Sequence, residues 1–523
     1  MNPLYELTLE EKIGQLVWPF IDGRNLNEVT INLIKMHQQK FHFGGYIIFY
    51  SDIVRWVYLL KELQSISKIP LIISADLEMG TGMQFEYATY LPSNMAIGAT
   101  GDVKNAYIAG EITAKEARAI GIHLTYAPVV DINNNPDNPI INIRAYGDNK
   151  DIVSQMGVAF IKGCKDHGLL TTAKHFPGHG NTNIDSHISL PVIDSSFEEL
   201  ENLELIPFKA SIDAGVDCVM VGHIGVPALD EKDVPASLSY NLVTKLLRGK
   251  MGFKELVIVD AMVMGGVREK YTPADAVVKA IQAGCDVILM PVDYQETISS
   301  LVNAVNSGKI SIERLNESLD RIWRAKEKVD LFNNRNIDMT SFEDMFVSPK
   351  YDDAVKIMTE SSITLVKNNN ILPIQPDSNK IFNITINEDE IPNIDYWWRM
   401  ELMKRQTIFS SITLGKEITD DDIINVKAKA EEADIIISPV FNIVKPHKGH
   451  IGLNEAMHNL FNDLIAMNKK IIVVSFVNPY ILKQISAIDA YVCTYSNNKE
   501  AQRGAIKVIF GEIKANGKLP VQL

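Results

Sequence analysis

The sequence predicts an α/β protein of two domains: an N-terminal (β/α)8 barrel of the TIM type over residues 1–335, a linker at 336–358, and a smaller C-terminal α/β domain, an αβα sandwich, over 359–523. Three observations carry that expectation. Eight short apolar runs alternate with longer amphipathic stretches between residues 14 and 291, most of those runs end in an ionisable side chain, and a second set of apolar runs follows from residue 361 onward. Domains of roughly 100–250 residues are the rule, so a chain of 523 residues asks for two or three of them. With 46% hydrophobic and 22% charged residues the composition is that of an ordinary globular protein. The 65 acidic against 51 basic side chains give a net charge of −14, which disfavours nucleic acid and anionic membranes as partners and leaves small uncharged or cationic molecules.

In chain order, Thr8-Leu-Glu-Glu11 is a capping box that opens a helix. The barrel strands are expected at GQLVWPF (14–20), GYIIFY (45–50), LIISAD (71–76), HLTYAPVVD (123–131), LLTTAKHF (169–176), VDCVMVGHI (216–224), LVIVDAM (256–262) and DVILMP (286–291). Each is almost continuously apolar, as strands buried on both faces are. Helical stretches such as 103–121 and 273–284 separate them, and Asp76, Asp131, Lys174 with His175, His223 and Asp260 sit at their C-terminal ends, the end at which barrel enzymes hold their chemistry. A helical stretch from about 310 precedes the irregular NNRNIDMTSFEDMF. Five further strands are expected at 361–368, 380–386, 433–440, 470–476 and 490–496, as an open parallel sheet. That part has neither GxGxxG after a strand nor GxxxxGK[ST], so a nucleotide-binding role lacks its support.

Cys164, Cys218, Cys285 and Cys493 are dispersed, without a CxxC pair, and three lie in apolar runs; reduced structural thiols are expected. The N-terminal stretch MNPLYELTLEEKIGQL lacks the basic and apolar regions of a secretory signal, and no apolar stretch reaches the roughly 18–20 residues of a membrane span. The expected location is the cytoplasm.

The densest chemistry is AKHFPGHGNTNIDSH (173–187), with His175, His179, Asp185 and His187 in one segment broken by Pro177, Gly178 and Gly180. Those breakers make the part after Phe176 a loop, able to travel relative to the barrel. The residue types allow two readings. As ligands, the histidines and Asp185 suit Zn²⁺ or a similar ion. As a dyad, Asp185 orients the imidazole of His187, which transfers protons near neutral pH. The dyad is favoured, because a metal site on a Gly/Pro-rich loop starts poorly preorganised.

KHFPGHG-x4-DSH, with VIVDAMVMGGV downstream, closely resembles family 3 glycoside hydrolases, within them the β-N-acetylglucosaminidase (β-hexosaminidase) subgroup that includes an enzyme of peptidoglycan recycling. Supporting matches are KIGQL (12–16), DLEMGTG (76–82), YAPVVDINNNPDNPIINIRAYG (126–147), VPALD (226–230), PASLS (235–239), AGCDVILMP (283–291), ITLVKN (363–368), NPY (478–480) and GKLPVQL (517–523). The resemblance implies a retaining exo-β-N-acetylglucosaminidase that needs no cofactor or metal and acts on carbohydrates with a terminal β-linked N-acetylglucosamine. By the same resemblance Asp260 is the nucleophile, His187 the acid/base and Asp185 its dyad partner, while Asp76, Arg144, Lys174 and His175 hold sugar hydroxyls. His223, at another strand end, is placed with the substrate-binding residues. The chain departs from the pattern at MGTGMQF (79–85), where many members carry an Arg-rich segment, at Ala145 and Tyr146, and at Val477.

Three alternatives stand beside this expectation. One is phosphorolysis by the same residues, since a histidine base does not repel phosphate as a carboxylate would. Another is a β-glucosidase or β-xylosidase taking its acid/base from the second domain, with Glu455 as candidate. The third, from a different class, is a metal-dependent barrel hydrolase ligated by His175, His179, Asp185 and His187.

Overall fold

In the computed structural model, which describes residues 3–335, 346, 348–407, 409–443 and 451–523, the chain forms two units. The first draws its described residues from 1–91, 106–132 and 150–352, the second from 92–105, 133–149 and 353–523. The division therefore falls at no single point of the sequence. Two segments that follow barrel strands belong to the second unit, because Met95, Ala96, Ala99 and Ile143 are buried in one apolar cluster with its strands. Of the expected linker, 336–345 and 347 lie outside the described residues, and its later part is the start of a helix, Pro349–Ser362.

The first unit has nine strand segments: β1 (Val17–Trp18), β2 (Phe20–Asp22), β3 (Gly45–Phe49), β4 (Ile72–Ala75), β5 (Leu124–Thr125), β6 (Thr172–Phe176), β7 (Cys218–Val221), β8 (Leu256–Val259) and β9 (Ile288–Leu289). β1 and β2 are one strand interrupted at Pro19, which has no N–H to give to a ladder. Every pairing is parallel, in the runs β2-β3-β4-β5, β6-β7-β8 and β9-β1. Single bridges Leu124↔Leu170, Val129↔Lys174 and Ile258↔Val287 join these runs, closing a ring of eight staves, seven inside their expected runs and the first extending past its run to Asp22. The staves are shorter than the runs because the apolar sequence continues beyond the paired stretch; Tyr126, Val129 and Val130 are buried past the end of β5.

Helices between the staves start where side chains accept the orphan N–H groups of their first turn, at Asp52, Ser196, Thr272, Asp293 and Ser311. The capping box at Thr8 and Glu11 forms as expected. In Ile312–Lys328, Leu315, Leu319 and Ile322 form the buried stripe.

The second unit is built on six strands, β10 (Thr364–Asn368), β11 (Ile381–Ile386), β12 (Phe409–Leu414), β13 (Ile435–Val440), β14 (Lys470–Ser475) and β15 (Ala490–Cys493), in the order β10-β15-β14-β13-β11-β12. Five were expected. β12, FSSITL, is an edge strand with Ser410 and Ser411 exposed, so it lacks the continuous hydrophobicity that marks central parallel strands. β10 pairs antiparallel with β15, which corrects the expectation of an all-parallel sheet. It too is an edge strand, and strand direction leaves no mark on hydrophobicity. Within this unit the NPY turn gains a role, since Asn133 donates to the Tyr480 hydroxyl at 2.7 Å. Among the described residues no helix is long and apolar enough to cross a membrane.

Candidate active site

The strand ends of the first unit carry the charged groups. At the end of β6, Lys174 Nζ lies 2.6 Å from Asp76 Oδ1, beyond β4, and 2.7 Å from Glu78 Oε1. The Lys174 and Glu78 side chains are 3% and 4% exposed, whereas Asp76 keeps 26%, so this cluster is buried with one carboxylate open to the barrel mouth. His175 donates its backbone N–H to Asp131 at 3.2 Å and directs Nδ1 to Asp131 Oδ2 at 2.8 Å. The His179 N–H adds a third donor to Asp131 at 2.7 Å. Burial pushes the Asp131 carboxyl upward, yet the two histidines outweigh it and hold the group below the ordinary aspartate range. A carboxylate on one stave thus fixes the ring of a histidine on the next, leaving Nε2 of His175 as the atom that faces other partners.

Asp260 follows β8. Its N–H donates to the Val221 carbonyl at 3.0 Å, and Oδ1 accepts the Ala261 N–H at 2.8 Å. Desolvation raises its pKa, but nearby His175 and His223, the Ala261 N–H and His187 together bring it below the ordinary value. Asp260 is therefore an anion at neutral pH, half-buried at the mouth, as a carboxylate nucleophile must be.

His223 sits beneath that turn. Its Nε2 lies 3.1 Å from the Ala261 carbonyl, which only accepts, so Nε2 carries the hydrogen and Nδ1 accepts from Ser237 Oγ at 2.8 Å. Burial lowers its pKa despite the pull of Asp260, keeping the ring neutral. Both ring nitrogens face protein atoms, so His223 supports the Asp260–Ala261 turn. Ser237 comes from PASLS, whose Ser239 pairs with Asp230 of VPALD, so two motifs without an assigned role meet behind this histidine.

The loop after β6 carries the dyad. His187 Nδ1 is 2.8 Å from Asp185 Oδ1, which also accepts the His187 backbone N–H at 2.9 Å. The carboxylate favours the Nδ1–H tautomer and leaves Nε2 as the atom able to give or take a proton. Asp185 is buried, while the His187 side chain stays 31% exposed. His179 braces the loop from below, with Nδ1 at 2.8 Å from Thr182 Oγ1 and Nε2 at 2.9 Å from Ser186 Oγ. The metal-ligand reading gains no support from this arrangement: both ring nitrogens of His179 are taken up by Thr182 and Ser186, and the Asp185 carboxylate is engaged by His187. Among the described residues no three His, Cys, Asp or Glu side chains are grouped to hold an ion.

The loop is seated against the turn after β8. Gly266 N–H donates to the Ser186 carbonyl and Gly265 N–H to the His187 carbonyl, both at 3.2 Å. A Cβ on Gly265 would lie 2.3 Å from the Ile188 oxygen and 2.8 Å from that of His187, so only glycine lets the loop dock there. Gly265→Ala is expected to displace the dyad and lower kcat/KM about 100-fold on a substrate with a poor leaving group. Activated aryl glycosides should suffer less, and equal losses on both would show that the anchor does not act through His187.

Of the predicted site residues, Asp76, Lys174, His175, Asp185, His187, His223 and Asp260 lie at the strand ends and loops of the first unit. Arg144 belongs to the second unit, where its guanidinium donates to the Ile140 carbonyl at 3.0 Å and its own carbonyl accepts from Asn94. Glu455 is the exposed first residue of the helix Glu455–Ala466, capped by Asn454, as a solvated helix-start glutamate is. Residues 444–450, ahead of that helix, lie outside the described residues. Sequence reasoning did not single out Glu78 or Gly265 and gave Asp131 no role; DLEMGTG held the clue for Glu78 in a second acid two residues beyond Asp76.

A model of the glycosyl hydrolase family 3 N-terminal domain matches residues 8–325, and one of the family's C-terminal domain matches 363–523. The chain belongs to glycosyl hydrolase family 3. It is a glycosidase with the two-domain architecture of that family. The β-hexosaminidase A of Pseudoalteromonas piscicida is 29% identical over 92% of this chain and 89% of its own. The structure of a β-N-acetylglucosaminidase from Paenibacillus sp. str. FPU-7 superposes with a TM-score of 0.88 at 30% identity, covering 99% of both chains. A β-glucoside phosphorylase structure superposes with a TM-score of 0.90 at 28% identity, over 99% of this chain and 95% of that one.

Proposed function

We propose that this family 3 glycosidase is a retaining exo-β-N-acetylglucosaminidase that releases terminal β-linked N-acetylglucosamine. The observation that carries the reading is the pairing of an ionised Asp260 with a histidine oriented through Nδ1 by Asp185. In the first step an Asp260 oxygen bonds to the anomeric carbon as the bond to the leaving oxygen breaks, and His187 delivers the Nε2 proton to that oxygen. In the second, neutral His187 takes a proton from water, whose oxygen displaces Asp260; two inversions give net retention. Lys174, Asp76 and His175, with Glu78 behind Lys174, hold the hydroxyls of the terminal sugar and position its anomeric carbon. The similarity to β-hexosaminidases and to a solved β-N-acetylglucosaminidase supports the choice of sugar. We place the reaction in the cytoplasm, in turnover of peptidoglycan fragments; the four cysteines, buried free thiols, suit a reducing compartment.

The test is a panel of aryl β-glycosides (N-acetylglucosaminide, glucoside, xyloside, N-acetylgalactosaminide) run with and without inorganic phosphate. The N-acetylglucosaminide should be preferred, with free sugar as product at any phosphate concentration. Phosphorolysis is the second reading, favoured by the likeness to the β-glucoside phosphorylase, and a sugar 1-phosphate product would establish it. For His187→Ala the expected loss of kcat/KM is about 10²–10⁴-fold on a disaccharide, whose poor leaving group needs the proton, and far smaller on an activated aryl glycoside. Comparable losses on the two substrates would exclude His187 as the acid.

A further inference from the structure

The Asp76–Lys174–Glu78 cluster depends on a loop. Residues 77–91 leave β4 directly after Asp76, carry Glu78, and fold back along themselves: the Leu91 N–H donates to the Met79 carbonyl and the Gly82 N–H to the Thr89 carbonyl, both at 2.9 Å. The approach is so close that a Cβ on Gly80 would lie 2.6 Å from the Thr89 oxygen. The arm that carries Glu78 is thus zipped to the arm that carries Thr89, and whatever fixes Thr89 fixes Glu78.

Thr89 is fixed from the helix Val103–Ala119. Glu116, in the last turn of that helix and fully buried, accepts the Thr89 N–H at 3.0 Å and the Thr89 hydroxyl at 2.5 Å. One turn earlier the Thr113 carbonyl accepts the Thr81 hydroxyl at 3.3 Å, so one face of the helix holds both arms of the loop. Among the described residues no cation pairs with Glu116; its neighbour Lys115 is engaged with Glu111 at 2.5 Å. Burial outweighs the two bonds from Thr89 and pushes the Glu116 carboxyl up to about 7. A buried acid without a counter-ion is costly to fold. Here its bonds go to the loop that brings Glu78 to Lys174, 2.7 Å away. Lys174 in turn precedes His175, one of the rings that hold Asp260 ionised, so an unbroken run of contacts leads from Glu116 to the reacting carboxylate.

We propose that Glu116 is a positioning residue: through Thr89 it holds the loop 77–91 in the conformation that sets Glu78 against Lys174 and Asp76 against the hydroxyls of the terminal sugar. The proposal rests on the glycosidase reading above and adds the group that preorganises its sugar-binding cluster. The test compares an aryl β-N-acetylglucosaminide with deoxy analogues, each lacking one sugar hydroxyl, in the wild type, Glu116→Ala and Glu116→Gln. The glutamine keeps an acceptor for the Thr89 N–H and a partner for its hydroxyl. Glu116→Ala should raise KM about tenfold with kcat within about threefold, and the wild type's penalty for losing the hydroxyl that the cluster grips, about 30-fold, should shrink to about threefold. Glu116→Gln should keep KM and that penalty within about twofold of the wild type. A purely structural role would lower the yield of folded enzyme and leave KM and the deoxy penalties unchanged, and that result overturns the proposal, as does a loss in Glu116→Gln equal to that in Glu116→Ala. If Glu116→Ala does not fold, Thr89→Val, which removes the hydroxyl and keeps the N–H, is read in the same way: KM should rise about threefold, and an unchanged KM overturns the proposal. If the wild type prefers glucosides, the sugar assignment fails alone, and a deoxy series made from the glucoside reads Glu116 independently.

Discussion

Asp260→Ala is expected to lower kcat/KM by about 10⁴-fold or more on every substrate, activated aryl glycosides included, with little change in the thermal midpoint. The leaving-group chemistry cannot rescue this variant, because without the carboxylate no covalent intermediate forms. That separates it from His187→Ala, in which a good leaving group departs unaided. Stability should survive because the Asp260 carboxylate accepts the N–H of its own neighbour, Ala261, so truncation deprives no distant buried donor of a partner. Removing the anion also removes one attraction on the rings of His175 and His223, a perturbation local to the mouth. Near-normal turnover of an aryl β-N-acetylglucosaminide by a folded Asp260→Ala protein would refute the nucleophile assignment.

The barrel was legible because parallel strands buried on both faces leave continuous apolar runs, and each of the eight staves falls in such a run, the first overrunning its end by two residues. The candidate site was legible where its residues stand at run ends, as Asp260 and Lys174 do, or two apart, as Asp185 and His187 do. What the sequence conceals is direction and distance. His175 and His179 stand among potential metal ligands, but their rings turn to Asp131, 44 residues earlier, and to Thr182 and Ser186. The composition of GGV (265–267) gives no sign that Gly265 seats the His187 loop, since that depends on an approach between backbones 78 residues apart. For the same reason the packing of 92–105 and 133–149 with the second unit was hidden. Their apolar residues look like those of any barrel loop until the cluster that buries Met95 and Ile143 is seen.

At the opposite end of the stave that carries β9, Asp286 governs stability rather than chemistry. It precedes the strand, fully buried, and its carboxylate receives Arg248 at 2.6 Å, Arg321 at 2.8 Å, Arg314 at 3.2 Å, the Ser318 hydroxyl at 2.7 Å and the Val257 N–H at 3.0 Å. Burial alone raises its pKa, but the three guanidinium groups overwhelm that and hold it far below the ordinary aspartate value. Asp286→Asn leaves three largely buried cations facing a neutral amide, and breaking a buried charge network in this way costs about 3–5 kcal/mol. A group whose pKa is depressed on folding stabilises above the unfolded value, roughly 3.9, and that stabilisation is lost as the pH falls toward the folded value. The thermal midpoint of Asp286→Asn should therefore lie well below that of the wild type at pH 7, by a constant margin down to about pH 5, and the gap should narrow below about pH 4. Activity per folded molecule at low temperature should be retained, because the substitution lies at the end of the barrel away from Asp260 and His187. Equal midpoints at pH 7 would show that the three arginines find other partners and that the network does not hold the barrel's closing stave.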